Sequence, residues 1–229
     1  MRRWALFLSV VGLQGCSNLT EGAPGVVGLQ IQAPSLKTVE VGEALQLTAM
    51  ALDKDGNPVA TPVEWRAPDA TLTVDGATGV ITGVSPGSGR VQAFVGSLSS
   101  ELVTFTVIAR ADTLVLTGDS VITVPAGVTA SAPLLVQLQS FSPAGPLPSR
   151  PVIYAVTSPP DVGPHTVELP NAALTDTVLT GTDGAVSSVT LNRVNGTTQP
   201  ATAIVEVRAF RTRGEAVPGS GQRFTVNFQ

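Results

Sequence analysis

Few residues in this sequence carry reactive chemistry, and their spacing decides what each could do. His165, in the proline-rich stretch DVGPHT, is the one histidine. A serine nucleophile would need such a base, with a carboxylate to orient it. Serines are plentiful, but none sits in the nucleophile-elbow pattern that lifts a hydroxyl clear of a sheet. His165 is therefore read as a solvated loop residue. Asp53, Asp55 and Asn57, followed by Glu64 at the twelfth position, space their oxygens as a calcium-binding loop does. However, Pro58 stands sixth, where such a loop turns on glycine, and the flanks alternate like strands. A hairpin turn is the reading that fits. Zinc needs clustered Cys, His or carboxylates, and a single cysteine, Cys16, with a single histidine does not supply a cluster. Glu64, Asp69 and Asp75 could serve as paired glycosidase carboxylates only across a cleft. They are read as solvent-facing or turn residues. No metal, no cofactor and no catalytic residue is expected.

The composition says what must hold these residues in place. Charged residues are 13% of the 229, low against the usual quarter, while 43% are hydrophobic. Gly (23) and Pro (18) are abundant, and valine and threonine recur, as strands and turns require. The net charge of −4 lacks the basic footprint that nucleic acid demands. Aromatics are 4%, and Trp65 and Tyr154 both lie in apolar strand patterns, so they are read as core rather than as a platform for sugars.

The N-terminus suggests an address. Arg2 and Arg3 precede the apolar run from Trp4 to Leu13, which is too short for the roughly 20 residues of a membrane span. It reads as a signal peptide, outside the fold. Leu13-Gln14-Gly15-Cys16 resembles a lipobox, the cleavage and lipidation motif of bacterial lipoproteins, with Gln14 departing from the usual small or aliphatic residue. The resemblance implies cleavage after residue 15 and an acylated Cys16 held in a membrane. Loss of Arg2 and Arg3 would take the charge from −4 to −6. Ser17 resembles residues that let such lipoproteins proceed to an outer membrane. The polar stretch completing 16–26 reads as a lipidated tether.

Beyond it the pattern is all-β: short alternating runs between turn signals, as in sandwiches. In ALQLTAMALD, Leu45, Leu47, Ala49 and Ala51 share one face, and Gln46, Thr48 and Met50 the other. VEWRA, TLTVDGATGVITG, RVQAFVG and LVTFTVIA continue the series. Gly42, Gly56, Gly76, Gly79 and Gly83 are expected where turns demand positive φ. The order VGEALQLTAMALDKDGNPV, then VEWRAPDATLTVDGATGVITGVSPGSGRVQAFVG, then VTFTV, is similar to the bacterial immunoglobulin-like domain of group 2. That resemblance implies a sandwich over 27–109 with Trp65 between its sheets.

Residues 110–229 offer DTLVL, SVITV, PLLVQLQ, PVIYAV, AVSSVTL, TAIVEVRAF and QRFTVNF as strands of a second immunoglobulin-like sandwich. TGTDGAVSSVTL followed by TAIVEVRAF resembles the invasin-type bacterial immunoglobulin-like domains. ARAD, at 109–112, leaves so little linker that the two sandwiches are expected to stack end to end. The irregular segment 158–174 is read as a candidate binding loop, with Asp161, His165 and Glu168 its polar residues, or equally as an insertion without a partner.

The fold class expected is two tandem immunoglobulin-like β-sandwiches after a lipoprotein signal peptide. The family resemblances imply a non-catalytic scaffold or adhesion module, lipid-anchored in the cell envelope, at an outer membrane or the cell surface. Its partners would be the membrane, through Cys16, and an unidentified protein or glycan. An accessory lipoprotein presenting a glycan or peptide to a larger envelope complex is the alternative.

Overall fold

The computed structural model describes residues 25–160, 164–198 and 200–229. Among them every regular element is a β-strand. In chain order the first sandwich holds β1 (Gly28–Gln32), β2 (Thr38–Glu40), β3 (Ala44–Gln46), β4 (Thr48–Leu52), β5 (Pro58–Val59) and β6 (Glu64–Arg66). It continues through β7 (Leu72–Val74), β8 (Val80–Gly83), β9 (Gly87–Val95), β10 (Leu98–Ser99) and β11 (Val103–Ile108). One sheet runs β1-β4-β5, a second runs β10-β9-β11-β2 with β6 also on β9, and a short third runs β3-β8-β7. Between them lie Val39, Leu47, Trp65, Leu72, Ile81, Val91, Ala93, Phe105 and Val107, all buried.

The run ALQLTAMALD is two strands, not one. β3 pairs with β8 while β4 pairs with β1 and β5, so the chain changes sheet at Leu47. The Leu47 N–H donates to the Gly79 carbonyl at the crossing. Alternation survives because both strands face one core: Leu47 and Ala51 are buried, and Leu45 and Ala49 pack against it.

The second sandwich begins four residues after β11. Its strands are β12 (Thr113–Leu116), β13 (Val121–Val124), β14 (Val136–Phe141), β15 (Ala144–Pro146), β16 (Pro151–Ser158) and β17 (Val167–Glu168). Then come β18 (Thr175–Leu179), β19 (Ala185–Val186), β20 (Asn192–Arg193), β21 (Thr202–Ala209) and β22 (Gln222–Phe228). A five-stranded sheet, β13-β22-β21-β16-β18, faces β12-β14-β15 with β19 on β14, and β17 pairs with β20. Its core is a separate cluster around Tyr154, Phe224, Leu114, Leu134, Leu138 and Leu191.

AVSSVTL forms a strand only at Ala185 and Val186. Downstream, the backbone bonds to a neighbouring loop: Val189 accepts from the Leu134 N–H, and the Leu191 N–H donates to Ser131 Oγ. Val189 and Leu191 are still buried, so the alternating pattern marked core residues without marking a ladder. The edge strand β18 has no such apolar alternation, since Asp176 stands among its threonines, and the sequence reading missed it.

Candidate functional site

The residues singled out for chemistry are dispersed, and most serve their own turns. Asp53 Oδ1 accepts from the N–H groups of Asp55 (2.9 Å) and Asn57 (2.8 Å) in the β4–β5 hairpin. Hydrogen bonding to Asn57 holds its carboxyl below the usual range. Asp75 Oδ1 accepts from the N–H groups of Ala77 and Thr78 between β7 and β8, with the same direction of shift from the Thr78 bond. Asp69 is forked by Arg90, at 2.8 Å to Nε and 2.9 Å to Nη2. Glu64 is exposed beside Arg66.

Two of the five glycines need a different explanation. Gly42, Gly56 and Gly79 have φ of 77°, 82° and 76°, whereas Gly76 and Gly83 do not lie in the left-handed region. At Gly83 the requirement is close approach: a Cβ would stand 2.6 Å from the Glu40 carbonyl oxygen and 3.0 Å from Val107 Cγ1.

Trp65 is 6% exposed and lies against Gly79, where a Cβ would meet the indole at 2.6 Å. Tyr154 is buried, and its hydroxyl donates to the Leu134 carbonyl at 3.0 Å. Burial pushes that phenol well above its ordinary range.

In the 158–174 segment, His165 is exposed and lines a small cavity of about 110 Å³ with Pro159, Pro160, Pro164, Thr166, Val167 and Leu174. Glu168 stands on β17, opposite Asn192 of β20, and Val167 and Leu169 beside it are fully buried. Val167 and Leu169 are therefore part of the core. Asp161 lies outside the described residues, as do Leu13, Gln14, Gly15 and Cys16.

Sequence reasoning missed the most elaborate polar cluster, at the junction of the sandwiches. Glu40, the last residue of β2, is 1% exposed. From the second sandwich, Arg150 Nη1 approaches Glu40 Oε1 to 3.5 Å, and Arg211 Nε approaches Oε2 to 4.0 Å. Burial pushes the Glu40 carboxyl up; Arg150 and the backbone N–H groups of Thr212 and Ala111 oppose the rise, and Glu43 adds to it. Both arginines also hold the linker, Arg150 donating to the Ala109 carbonyl and Arg211 to that of Ala111. Nearby, Arg213 Nε donates to Glu43 Oε1 at 2.6 Å and its Nη2 to the Thr38 carbonyl at 3.0 Å. Asp112 accepts from Arg110 Nε and from the Phe141 N–H. Beside this cluster is a cleft of about 370 Å³, lined by residues of both sandwiches, Glu43, Arg110 and Arg213 among them. Nothing local signals it: Glu43 and Arg213 are 170 positions apart.

No protein-family model matches the sequence, and no characterised protein matches it. Solved structures offer distant likenesses. The adhesin InvE of Yersinia pseudotuberculosis is similar over 91% of this chain at 18% identity and a TM-score of 0.41. This chain spans 62% of that adhesin's length. Fibronectin(III)-like modules of Clostridium thermocellum CbhA match over 87% of this chain and 92% of theirs, at 17% identity and a TM-score of 0.40. Domains 4 and 5 of the S-layer protein SbsC match over 89% of this chain and 98% of theirs, at 17% identity and a TM-score of 0.35. Likenesses this remote carry no argument about activity, partner or location, and the fold rests on the sheets described above.

Proposed function

We propose that this chain is a non-catalytic lipoprotein of the cell envelope, acting as a surface scaffold or as an adhesion and interaction module. In this reading residues 1–15 are a lipoprotein signal peptide, Cys16 carries the acyl chains, and 16–26 tether the domains to an outer membrane or cell surface. Residues 27–109 form a group 2 bacterial immunoglobulin-like domain and 110–229 a second one, of invasin type. The observation that carries the reading is the use the fold makes of its acidic residues. Asp53 and Asp75 bind their own turns, Asp69 binds Arg90, and Glu40 and Glu43 bind arginines across the junction. Two acyl chains anchor a protein stably, whereas one binds only marginally.

The test is protease accessibility of the protein on intact cells against lysed cells. Rapid degradation on intact cells is the expected result. Protection until lysis would place the domains behind a membrane and remove the adhesion reading.

One observation favours the alternative, an accessory lipoprotein that presents a glycan. Phe141 is 66% exposed on the outer face of β14, in line with Gln137 and Gln139. An exposed ring beside two amides suits a sugar, whose apolar face stacks while its hydroxyls hydrogen-bond. Glycan-array binding that is lost in Phe141→Ala would support this reading, and no binding by the wild type would end it.

A further inference from the structure

We infer that the buried cluster of Glu40, Arg150 and Arg211 sets the angle between the two sandwiches, locking them as one rigid rod. A four-residue linker alone, at 109–112, would leave the sandwiches free to bend and twist about it. Here two further attachments reinforce it. One is Glu40 with Arg150 and Arg211; the other is Glu43 and the Thr38 carbonyl with Arg213, joined by Thr212 Oγ1 at 3.2 Å from Glu43 Oε2. Together they restrain both the bend and the twist that a bare linker would permit. Four of the chain's 13 basic residues, Arg110, Arg150, Arg211 and Arg213, are used at this junction.

The chemistry of the central pair points to geometry rather than strength. Removing a carboxylate and a guanidinium from water costs about as much as their attraction returns, so a buried pair is weak evidence for stability. The pair here is not ideal: Glu40 Oε1 has no hydrogen-bond partner, and Arg150 stands 3.5 Å from it. What such a pair supplies is direction. Arg150 and Arg211 each reach both Glu40 and a linker carbonyl, so tilting either sandwich would strand a buried charge. The turn presenting Glu40 and Glu43 is itself fixed, with the Gly42 N–H donating to the Gly83 carbonyl and the Gly83 N–H to that of Glu43.

The test is a distance distribution by double electron–electron resonance on the full chain. Cys16→Ser removes the single cysteine, and nitroxides are placed at Lys54→Cys and Ala126→Cys, exposed positions on different sandwiches. In this background a single narrow distribution is expected. Replacing the whole cluster with apolar side chains (Glu40→Leu, Arg150→Met, Arg211→Met) is expected to broaden or split it while the melting temperature stays within a few degrees. Should that triple variant fail to fold, Glu40→Gln keeps the volume, removes the charge, and is expected to broaden it as well. A broad distribution in the parent, or an unaltered narrow one in a folded variant, would overturn the inference.

Discussion

The two sandwiches solve the same packing problem with different materials. The first closes around Trp65, whose indole is accommodated by the missing side chain of Gly79 and by turns that Asp53 and Asp75 cap from within a few residues. The second has no tryptophan. It closes around Tyr154, Phe224 and aliphatic side chains, and is tied by bonds between distant segments: Tyr154 to Leu134, Ser131 to Leu191, and Thr180 to Leu147. The first is thus organised by local signals and one large ring. The second depends on polar side chains satisfying backbone groups far away in sequence, because its irregular stretches leave buried N–H and C=O groups that no ladder can pair.

The contrast can be broken most forcefully at Trp65. Trp65→Ala should cost about 3–5 kcal/mol, read by thermal or chemical denaturation. An unchanged melting temperature would show that the ring does not carry the first core. Gly79→Ala should follow, at about 2–4 kcal/mol, since it combines a left-handed backbone with a clash against the indole. Its cost should fall to the backbone term alone when Trp65→Ala is already present, giving clear non-additivity in a double-mutant cycle. In the second sandwich Tyr154→Phe removes a hydroxyl and strands the Leu134 carbonyl, for about 1–3 kcal/mol. A neutral result would mean that packing alone, not the tie, holds Tyr154. Asp75→Ala should have a smaller effect than any of these, because its turn is solvated and water replaces the lost acceptor.

The smallest expected effect is a dependence on pH from the junction. Burial raises the Glu40 carboxyl above the ordinary glutamate value, against the pull of Arg150 and of the backbone N–H groups of Thr212 and Ala111, with Glu43 adding to the rise. The folded chain then holds a proton where the unfolded chain has released it. The contribution is full below the unfolded value and is lost as pH rises through the folded one. Melting temperature should therefore decline slightly from mildly acidic to neutral pH, and Glu40→Gln should flatten that slope. An identical slope in the variant would remove Glu40 as its source.

Much of the first sandwich was legible in the sequence, for a physical reason. Asp53 to Asn57 and Asp75 to Thr78 are turns whose donors and acceptors are neighbours, so a few residues state the whole structure. The burial of Trp65 followed from the apolar alternation around it. Less visible was the change of sheet at Leu47, because alternation is the same on either side of it. The expectation of positive φ at Gly76 and Gly83 was incorrect: at Gly83 glycine is required because backbones crowd, and nothing in the structure explains Gly76. In the second half, β18 presents threonines and an aspartate at a sheet edge and carries no hydrophobic signature. The Glu40 cluster was illegible. A glutamate alternating with Val39 and Val41 reads as solvent-facing, and the arginines that meet it come from the second sandwich, more than 100 positions away.

The proposed lipid anchoring of the two sandwiches in the envelope is tested most directly at Cys16. Cells expressing the wild type or Cys16→Ser are fed a labelled palmitate, lysed without detergent and separated by sedimentation. A labelled wild type in the membrane fraction and an unlabelled, soluble variant are expected. A wild type without label, or a serine variant that still sediments with lipid, would contradict that anchoring.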